Sequence, residues 1–344
     1  MKGVLIVNLG SPNSTEVNDV RDYLYQFLMD ERVIDISKWI RKILVKGLIL
    51  NTRPKKSSNA YKRIWWEEGS PLIVISKKFH KKIQKKSNVP VSLAMRYGNP
   101  SLKSGLQELN DKGVNDVLVI PLYPQFAMSS VETITVESNE IKNKFFPEMK
   151  LFHFPSFYNK PDYIKVLSNS IKDFLKDKKI DHLLFSYHGI PNRHILKSDI
   201  TRSHCKMNGV CCFKKSKAHN YCYRHQCEIT THNVAKNLGL KKGSFSTTYQ
   251  SRATIIGSWL KPYTDITING FAKKGFKNIA VVTPAFVSDC LETLEEIGME
   301  ASEDFKKNGG KELYLVPCLN YRDDWIKVIT KWIDNWMKSG FVSS

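Results

Sequence analysis

The sequence predicts an α/β protein built from two doubly wound domains with mostly parallel sheets. Three observations carry that reading. Eight apolar runs recur along the 344 residues with helical patterns between them, and the runs are continuous rather than alternating. Strands covered by helices on both faces require that pattern. Several runs end in Gly/Pro turns that deliver polar side chains, which is how an α/β sheet presents chemistry at the carboxyl ends of its strands. The halves also echo each other. Met95-Arg96-Tyr97-Gly98-Asn99-Pro100 is similar to Ser186-Tyr187-His188-Gly189-Ile190-Pro191, and Ile120-Pro121-Leu122-Tyr123-Pro124 to Val282-Thr283-Pro284-Ala285-Phe286.

The strands are expected at 4–8, 91–96, 117–122, 149–154, 183–188, 244–249, 279–283 and 313–317. A boundary near Pro161 gives an N-terminal domain, 1–160, with an apolar segment at 36–50, and a C-terminal domain, 161–344, with a cysteine-rich insert at 198–230. A chain of this length exceeds one small core. The first strand follows Met1-Lys2-Gly3 directly, so no signal peptide and a cytoplasmic location are expected, and no apolar stretch is long enough to span a bilayer. Between the first two strands, Ile36, Trp39, Ile40, Ile43, Leu44 and Leu48 fall on one helical face, with Lys38, Arg41, Lys42 and Lys46 on the other. A basic amphipathic helix tipped with Trp suits a membrane surface, although such a helix more commonly packs on its own domain. Val45, Ile49 and Leu50 widen the apolar face, which points to something greasy, substrate or lipid.

Net charge is +20, from 53 basic and 33 acidic residues. Nucleic acid, an anionic membrane and an acidic small molecule are all compatible with that balance. The lysines are scattered, however, and no basic–aromatic stripe accompanies them. Seven cysteines in a cytoplasmic chain argue against a disulfide framework. Five of them crowd between Cys205 and Cys227, as in a metal site.

Two strand exits carry candidate chemistry. The run Leu183-Leu184-Phe185-Ser186-Tyr187 delivers His188 into a Gly/Pro turn. The run Ile279-Ala280-Val281-Val282-Thr283-Pro284 feeds a helix start holding Asp289, Glu292 and Glu296, spaced to share one face. A capping box, with Asp289 as N-cap and Glu292 returning to its amide, accounts for two of the three carboxylates. It leaves Glu295-Glu296 unexplained. A histidine after a strand can equally be a hydrogen-bonded structural residue. One imidazole and a carboxylate row suggest a site that handles a cation or protons.

Together these segments resemble ferrochelatase, the family that inserts ferrous iron into porphyrin. The resemblance rests on the Ser186–Pro191 segment and on Ser288-Asp289-Cys290-Leu291-Glu292-Thr293-Leu294-Glu295-Glu296. It extends to Val7-Asn8-Leu9-Gly10-Ser11-Pro12, Gly69-Ser70-Pro71-Leu72, Pro121-Leu122-Tyr123-Pro124-Gln125-Phe126, Gln250-Ser251-Arg252, Trp259-Leu260 and Pro262, in the family's order from about residue 4 to 320. It implies two Rossmann-like, chelatase-type domains with the active-site cleft between them. His188 and Glu292 would face each other across the porphyrin as catalytic and metal-binding residues, with Asp289 and Glu296 as a carboxylate relay. Arg96, Tyr97, Trp259 and Leu9 would touch the macrocycle, and the segment 36–50 would form the lip of the site.

The implied reaction is insertion of ferrous iron into protoporphyrin IX to give protohaem, with release of two protons. Some members carry a [2Fe–2S] cluster in a short internal cysteine segment. Cys205, Cys212, Cys222 and Cys227 are the expected ligands, with Cys211 as rival for the second place. Structural Zn2+ held with His204, His219 or His225 is the competing reading. Coproporphyrin and sirohydrochlorin are alternative substrates. A basic metal- or nucleic-acid-binding protein is the alternative from another class, but it leaves His188 and the carboxylate row without a role, so no nucleic acid is expected.

Overall fold

The computed structural model describes residues 1–252 and 257–340. All eight expected strands form: β1 (Lys2–Asn8), β2 (Val91–Met95), β3 (Asp116–Pro121), β4 (Lys150–His153), β5 (His182–His188), β6 (Phe245–Gln250), β7 (Asn278–Val282) and β8 (Glu312–Leu315). They build two four-stranded sheets of the same order, β2-β1-β3-β4 and β6-β5-β7-β8, with every pairing parallel. The continuous apolar runs are buried along nearly their whole length because helices cover both faces. In the first sheet Leu5, Val7, Val117 and Val119 pack with Leu102, Leu106 and Leu109 of the helix Leu102–Asp111. In the second, Leu184, Ile279 and Val281 pack with Ile268 and Phe305.

The chain divides into two compact units, one of residues 1–123, 128–155 and 320–344, the other of 124–127 and 156–319. The helix Asp323–Ser339 thus joins the first unit, whereas a division at 160/161 assigns it to the second. Aromatic packing is the reason. Its buried Trp325, Trp332 and Trp336 lie against Phe79, Phe154 and Phe152, with ring centroids 6.5, 4.8 and 5.7 Å apart. Lys82 of the same unit bonds Asp323 at 2.8 Å. A helix with this many inward aromatics goes to the unit that offers it aromatic partners, wherever it falls in sequence.

The identical sheet orders also correct the internal echo. Ser186–Pro191 leaves β5, whose counterpart is β1, while Met95–Pro100 leaves β2, the counterpart of β6. The second echo, between the exits of β3 and β7, is in register. The turns in both sheets need glycine at the same kind of place. A Cβ on Gly10, whose φ is 112°, would lie 1.8 Å from the Tyr97 carbonyl oxygen, and one on Gly189 would lie 2.7 Å from that of Gln250.

Candidate active site

In the second sheet the chain moves from β5 outward to β6, then crosses back to β7 on the other side of β5. The switch point therefore lies at the carboxyl ends of β5 and β7, where ligands bind in open α/β sheets. His188 ends β5 and is half-buried. Its Nδ1 is 2.6 Å from the Gly189 carbonyl oxygen, and its own carbonyl accepts from the Tyr223 hydroxyl at 2.9 Å. A carbonyl only accepts, so the neutral ring carries its proton on Nδ1 and Nε2 is the basic nitrogen. Phe286, from the loop after β7, meets the imidazole edge-on at 6.3 Å. Trp259 pairs with Pro191 across an isolated bridge and packs where a Gly189 side chain would stand.

The carboxylates come from that same loop, but not on one α-helical face. The α-helix Leu291–Leu294 is a single turn and passes into a π-helix, Glu296–Ala301, marked by the Glu300 amide bonding the Glu295 carbonyl at 2.9 Å. The N-cap is Cys290 rather than Asp289, and its reciprocal partner is Thr293, whose hydroxyl accepts from the Cys290 amide at 3.0 Å. Asp289 is buried, and its Oδ1 accepts from the Thr293 hydroxyl at 3.0 Å and from the Cys318 amide at 3.3 Å. Glu296 accepts from the Ser251 hydroxyl, and Gln250 Nε2 stands 3.5 Å from its carboxylate. Burial, then the neighbouring Glu292 charge, pushes the Glu296 carboxyl up to about 8. Gln250 and Ser251 carried no role in the sequence reading. Two signals were available, their position at a strand exit and their place in the Gln250-Ser251-Arg252 segment that resembles the family.

In the first unit the exit of β2 is a closed network. Arg96 pairs with Asp30 at 2.6 Å and Glu137 at 3.3 Å, and its Nε donates to Thr133 at 2.7 Å. The buried Tyr97 hydroxyl donates to the same Asp30 carboxylate at 2.9 Å, and Thr133 does so as well. Burial would raise Asp30, yet hydrogen bonds from Thr133 and the Arg32 amide, with the Arg96 charge, hold it below the usual carboxylate range. The Arg96 cation is therefore already matched by two carboxylates of the protein. Leu9, half-buried at the end of β1, accepts from the Tyr97 amide at 2.8 Å.

The insert brings four thiols to one small cavity. Cys205, Cys211, Cys212 and Cys222 line it, together with Asp199, His204 and His219. Cys227, expected among the ligands, lies outside that lining and is fully buried, its thiol pushed well up by burial. Adjacent Cys211 and Cys212 both reach the cavity because the 3-10 turn Val210–Phe213 carries them. The Cys212 thiol hydrogen-bonds the Cys222 sulfur, which lowers the Cys222 thiol and drives Cys212 up. The imidazoles are turned to backbone: His204 and His219 Nε2 lie 2.9 and 3.1 Å from the Cys211 carbonyl, and His225 Nδ1 lies 2.5 Å from that of Cys212. The cavity's donor set is thus mainly sulfur. Among the described residues no group of three or more His, Cys, Asp or Glu side chains is set out as for a bound metal ion.

The comparisons fall on this arrangement end to end. The family model for ferrochelatase matches residues 1–337. Ferrochelatase from Pseudomonas syringae pv. tomato is 44% identical over 329 residues, covering 95% of this chain and 96% of the relative. Ferrochelatase from Stutzerimonas stutzeri is 43% identical over 332 residues, 96% of each. The chain belongs to the ferrochelatase family. Its activity is that of the family, an enzymatic insertion of ferrous iron into protoporphyrin in haem synthesis, with iron and porphyrin as substrates. SirB from Bacillus subtilis, solved with Fe3+, shares the fold at a TM-score of 0.54, with 11% identity and 99% of each chain covered.

For a ferrochelatase the segment 36–50 has an informative shape. It forms the helix Lys38–Ile43, a π-helix Leu44–Ile49 and the start of the helix Leu50–Ile64. The face expected to be polar is partly inside: Arg41 is buried and donates to the Ile34 and Ile36 carbonyls at 2.9 and 3.1 Å. Val45, Ile49 and Leu50 anchor the segment, which turns Trp39 (76% exposed), Ile40, Ile43 (72%) and Leu48 outward. No described helix is long and apolar enough to cross a membrane.

Proposed function

We propose that iron insertion into protoporphyrin IX takes place at the exits of β5 and β7, with His188 as proton acceptor and metal ligand and Glu292 as the carboxylate on the metal side. The observation that supports this best is the His188 ring, whose Nδ1 proton is held by the Gly189 carbonyl so that Nε2 is the base. Two pyrrole protons leave as iron enters, and a neutral imidazole is a natural acceptor near neutral pH. Imidazole and carboxylate suit ferrous iron without holding it as a thiolate cage would. Of the two relay carboxyls, Glu296 fits better. Its raised affinity for a proton lets it hold and release one near neutrality, while Asp289 braces the turn through Thr293 and Cys318. Trp259 offers an aromatic wall beside His188. Arg96, Tyr97 and Leu9 are proposed as porphyrin contacts, with Arg96 shaping the surface more than cancelling propionate charge.

The test is an anaerobic assay with ferrous iron and protoporphyrin, following loss of porphyrin fluorescence. His188→Ala and Glu292→Gln are expected to lose most activity. Full activity in both overturns the site assignment. Coproporphyrin and sirohydrochlorin run beside protoporphyrin test the substrate.

Two further features belong to this reading. Cys205, Cys211, Cys212 and Cys222 would hold a [2Fe–2S] cluster, which supplies one-electron redox chemistry that iron insertion does not require. A brown colour bleached by dithionite supports it, and a colourless, zinc-bearing preparation refutes it. The outward Trp39, Ile40, Ile43 and Leu48, flanked by Lys38, Lys42 and Lys46, suit peripheral docking on an anionic membrane, each apolar side chain contributing about 1.5–3 kcal/mol on leaving water. Vesicles of anionic lipid at low salt should retain the protein, and Trp39→Glu should release it.

A further inference from the structure

One buried residue, through its backbone carbonyl and its side-chain amide, joins the strand end and turn that carry His188 to the helix that carries Glu292. Gln250 ends β6, beside β5, and is buried. On one side it serves the histidine: its backbone carbonyl accepts from the Gly189 amide at 2.8 Å, and its Oε1 accepts from the Ser186 hydroxyl at 2.7 Å. Ser186 is braced in turn, 2.8 Å from the Thr264 hydroxyl, which lies 2.9 Å from that of Thr248. On the other side Gln250 serves the carboxylates. Its Nε2 donates to the Glu292 carbonyl at 2.7 Å and stands 3.5 Å from the Glu296 carboxylate.

The next residue, Ser251, has a φ of 58° and donates its hydroxyl to Glu296. A left-handed conformation is costly for a residue other than glycine and persists where surrounding bonds fix it. The primary amide is suited to this place because it accepts at one end and donates twice at the other. A carboxylate would oppose the Glu292 carbonyl and Glu296, and an alkyl group would leave Ser186 and the Glu292 carbonyl without this partner.

We propose that Gln250 is a positioning residue for iron insertion, tying the His188 turn to the Glu292 helix so that imidazole and carboxylate keep one fixed relation. The inference rests on the reading of His188 and Glu292 as the reacting pair. Only unit-internal bonds are involved, so it stands independently of how porphyrin is held elsewhere.

The experiment uses the full chain with ferrous iron and protoporphyrin, with rates expressed per folded molecule. Gln250→Leu is expected to lower kcat about 10–100-fold, as a misplacement near 1 Å does, while KM for protoporphyrin moves less than about threefold because the porphyrin contacts remain. In the His188→Ala background the same substitution is expected to cost less kcat than in the parent, since part of its effect runs through that imidazole and only the part through the Glu292 helix remains. Unchanged kcat in Gln250→Leu, or a full additional loss in the His188→Ala background, overturns the proposal. If Gln250→Leu does not fold, Ser186→Ala removes the Oε1 anchor alone and is expected to lower kcat about 3–10-fold at unchanged KM. Unchanged kcat there overturns the proposal as well. Full activity of His188→Ala by itself instead brings down the site assignment, so the two failures are distinguishable.

Discussion

The two sheets have the same strand order and the same glycine requirement at their exits, yet their exits carry different chemistry. In the first unit polar groups are paired off: Arg96 with Asp30 and Glu137, Tyr97 and Thr133 with Asp30, and Asn8 with the Leu9 amide and Ser76. In the second, the corresponding switch point gathers an imidazole of fixed tautomer and a carboxyl whose proton affinity is raised. Architecture therefore sets where chemistry can sit, and individual side chains decide whether it does. Paired charges rigidify, whereas groups whose proton equilibria are displaced toward neutrality can work.

Six substitutions break or sharpen this contrast. His188→Ala is expected to reduce iron insertion about 10²–10⁴-fold, the usual size of an acid–base contribution, with little change in melting temperature. Its counterpart at the end of β1, Asn8→Ala, is expected to show mainly in stability, at about 1–3 kcal/mol, since it takes this partner from the half-buried Leu9 amide and the buried Ser76 hydroxyl. Equal losses of activity at both positions break the contrast. Trp325→Ala is expected to cost about 3–5 kcal/mol in urea unfolding, because Trp325 is fully buried against Phe79 in the first unit. Asp30→Asn is expected to cost about 3 kcal/mol, the low end for a broken buried pair because Glu137 remains.

Glu296 gives the pH test. Its carboxyl titrates at about 8 when folded against 4.5 ordinarily, so the unfolded chain releases the proton first. This group leaves stability untouched below about pH 4.5, erodes it progressively as pH rises, and adds nothing further above about 8. Glu296→Gln is therefore expected to gain on the parent between those limits, read as a widening gap in urea midpoints from pH 5 to pH 8. The smallest effect on stability is expected from Trp39→Glu, within about 0.5 kcal/mol for an exposed site, although vesicle retention should fall.

Legibility in the sequence followed the range of the forces involved. The strands were readable because burial on both faces demands unbroken apolar runs, and Leu183–Tyr187 or Ile279–Val282 satisfy that demand locally. His188 and the carboxylates were readable as strand-exit residues. What misled was the assumption of regular helices. Spacing placed Asp289, Glu292 and Glu296 on one face, but a π turn begins within that span, and Cys290 with Thr293 supplies the cap. At 36–50 the same assumption placed Arg41 outside, whereas carbonyls of the preceding loop draw it in and leave Trp39 and Ile43 outside.

Chain order and composition by themselves determined two doubly wound sheets, a histidine and a carboxylate cluster at strand exits, and a cysteine-dense insert. Those follow from periodicity and from residue chemistry, which act between near neighbours. Only the tertiary structure decided that the last helix belongs to the first unit and that Cys211 rather than Cys227 shares a cavity with the other thiols. It alone decided, too, that Gln250 links the two halves of the candidate site. These depend on contacts between residues tens to hundreds of positions apart, where hydrogen-bond geometry and available buried surface select the partner and local sequence does not.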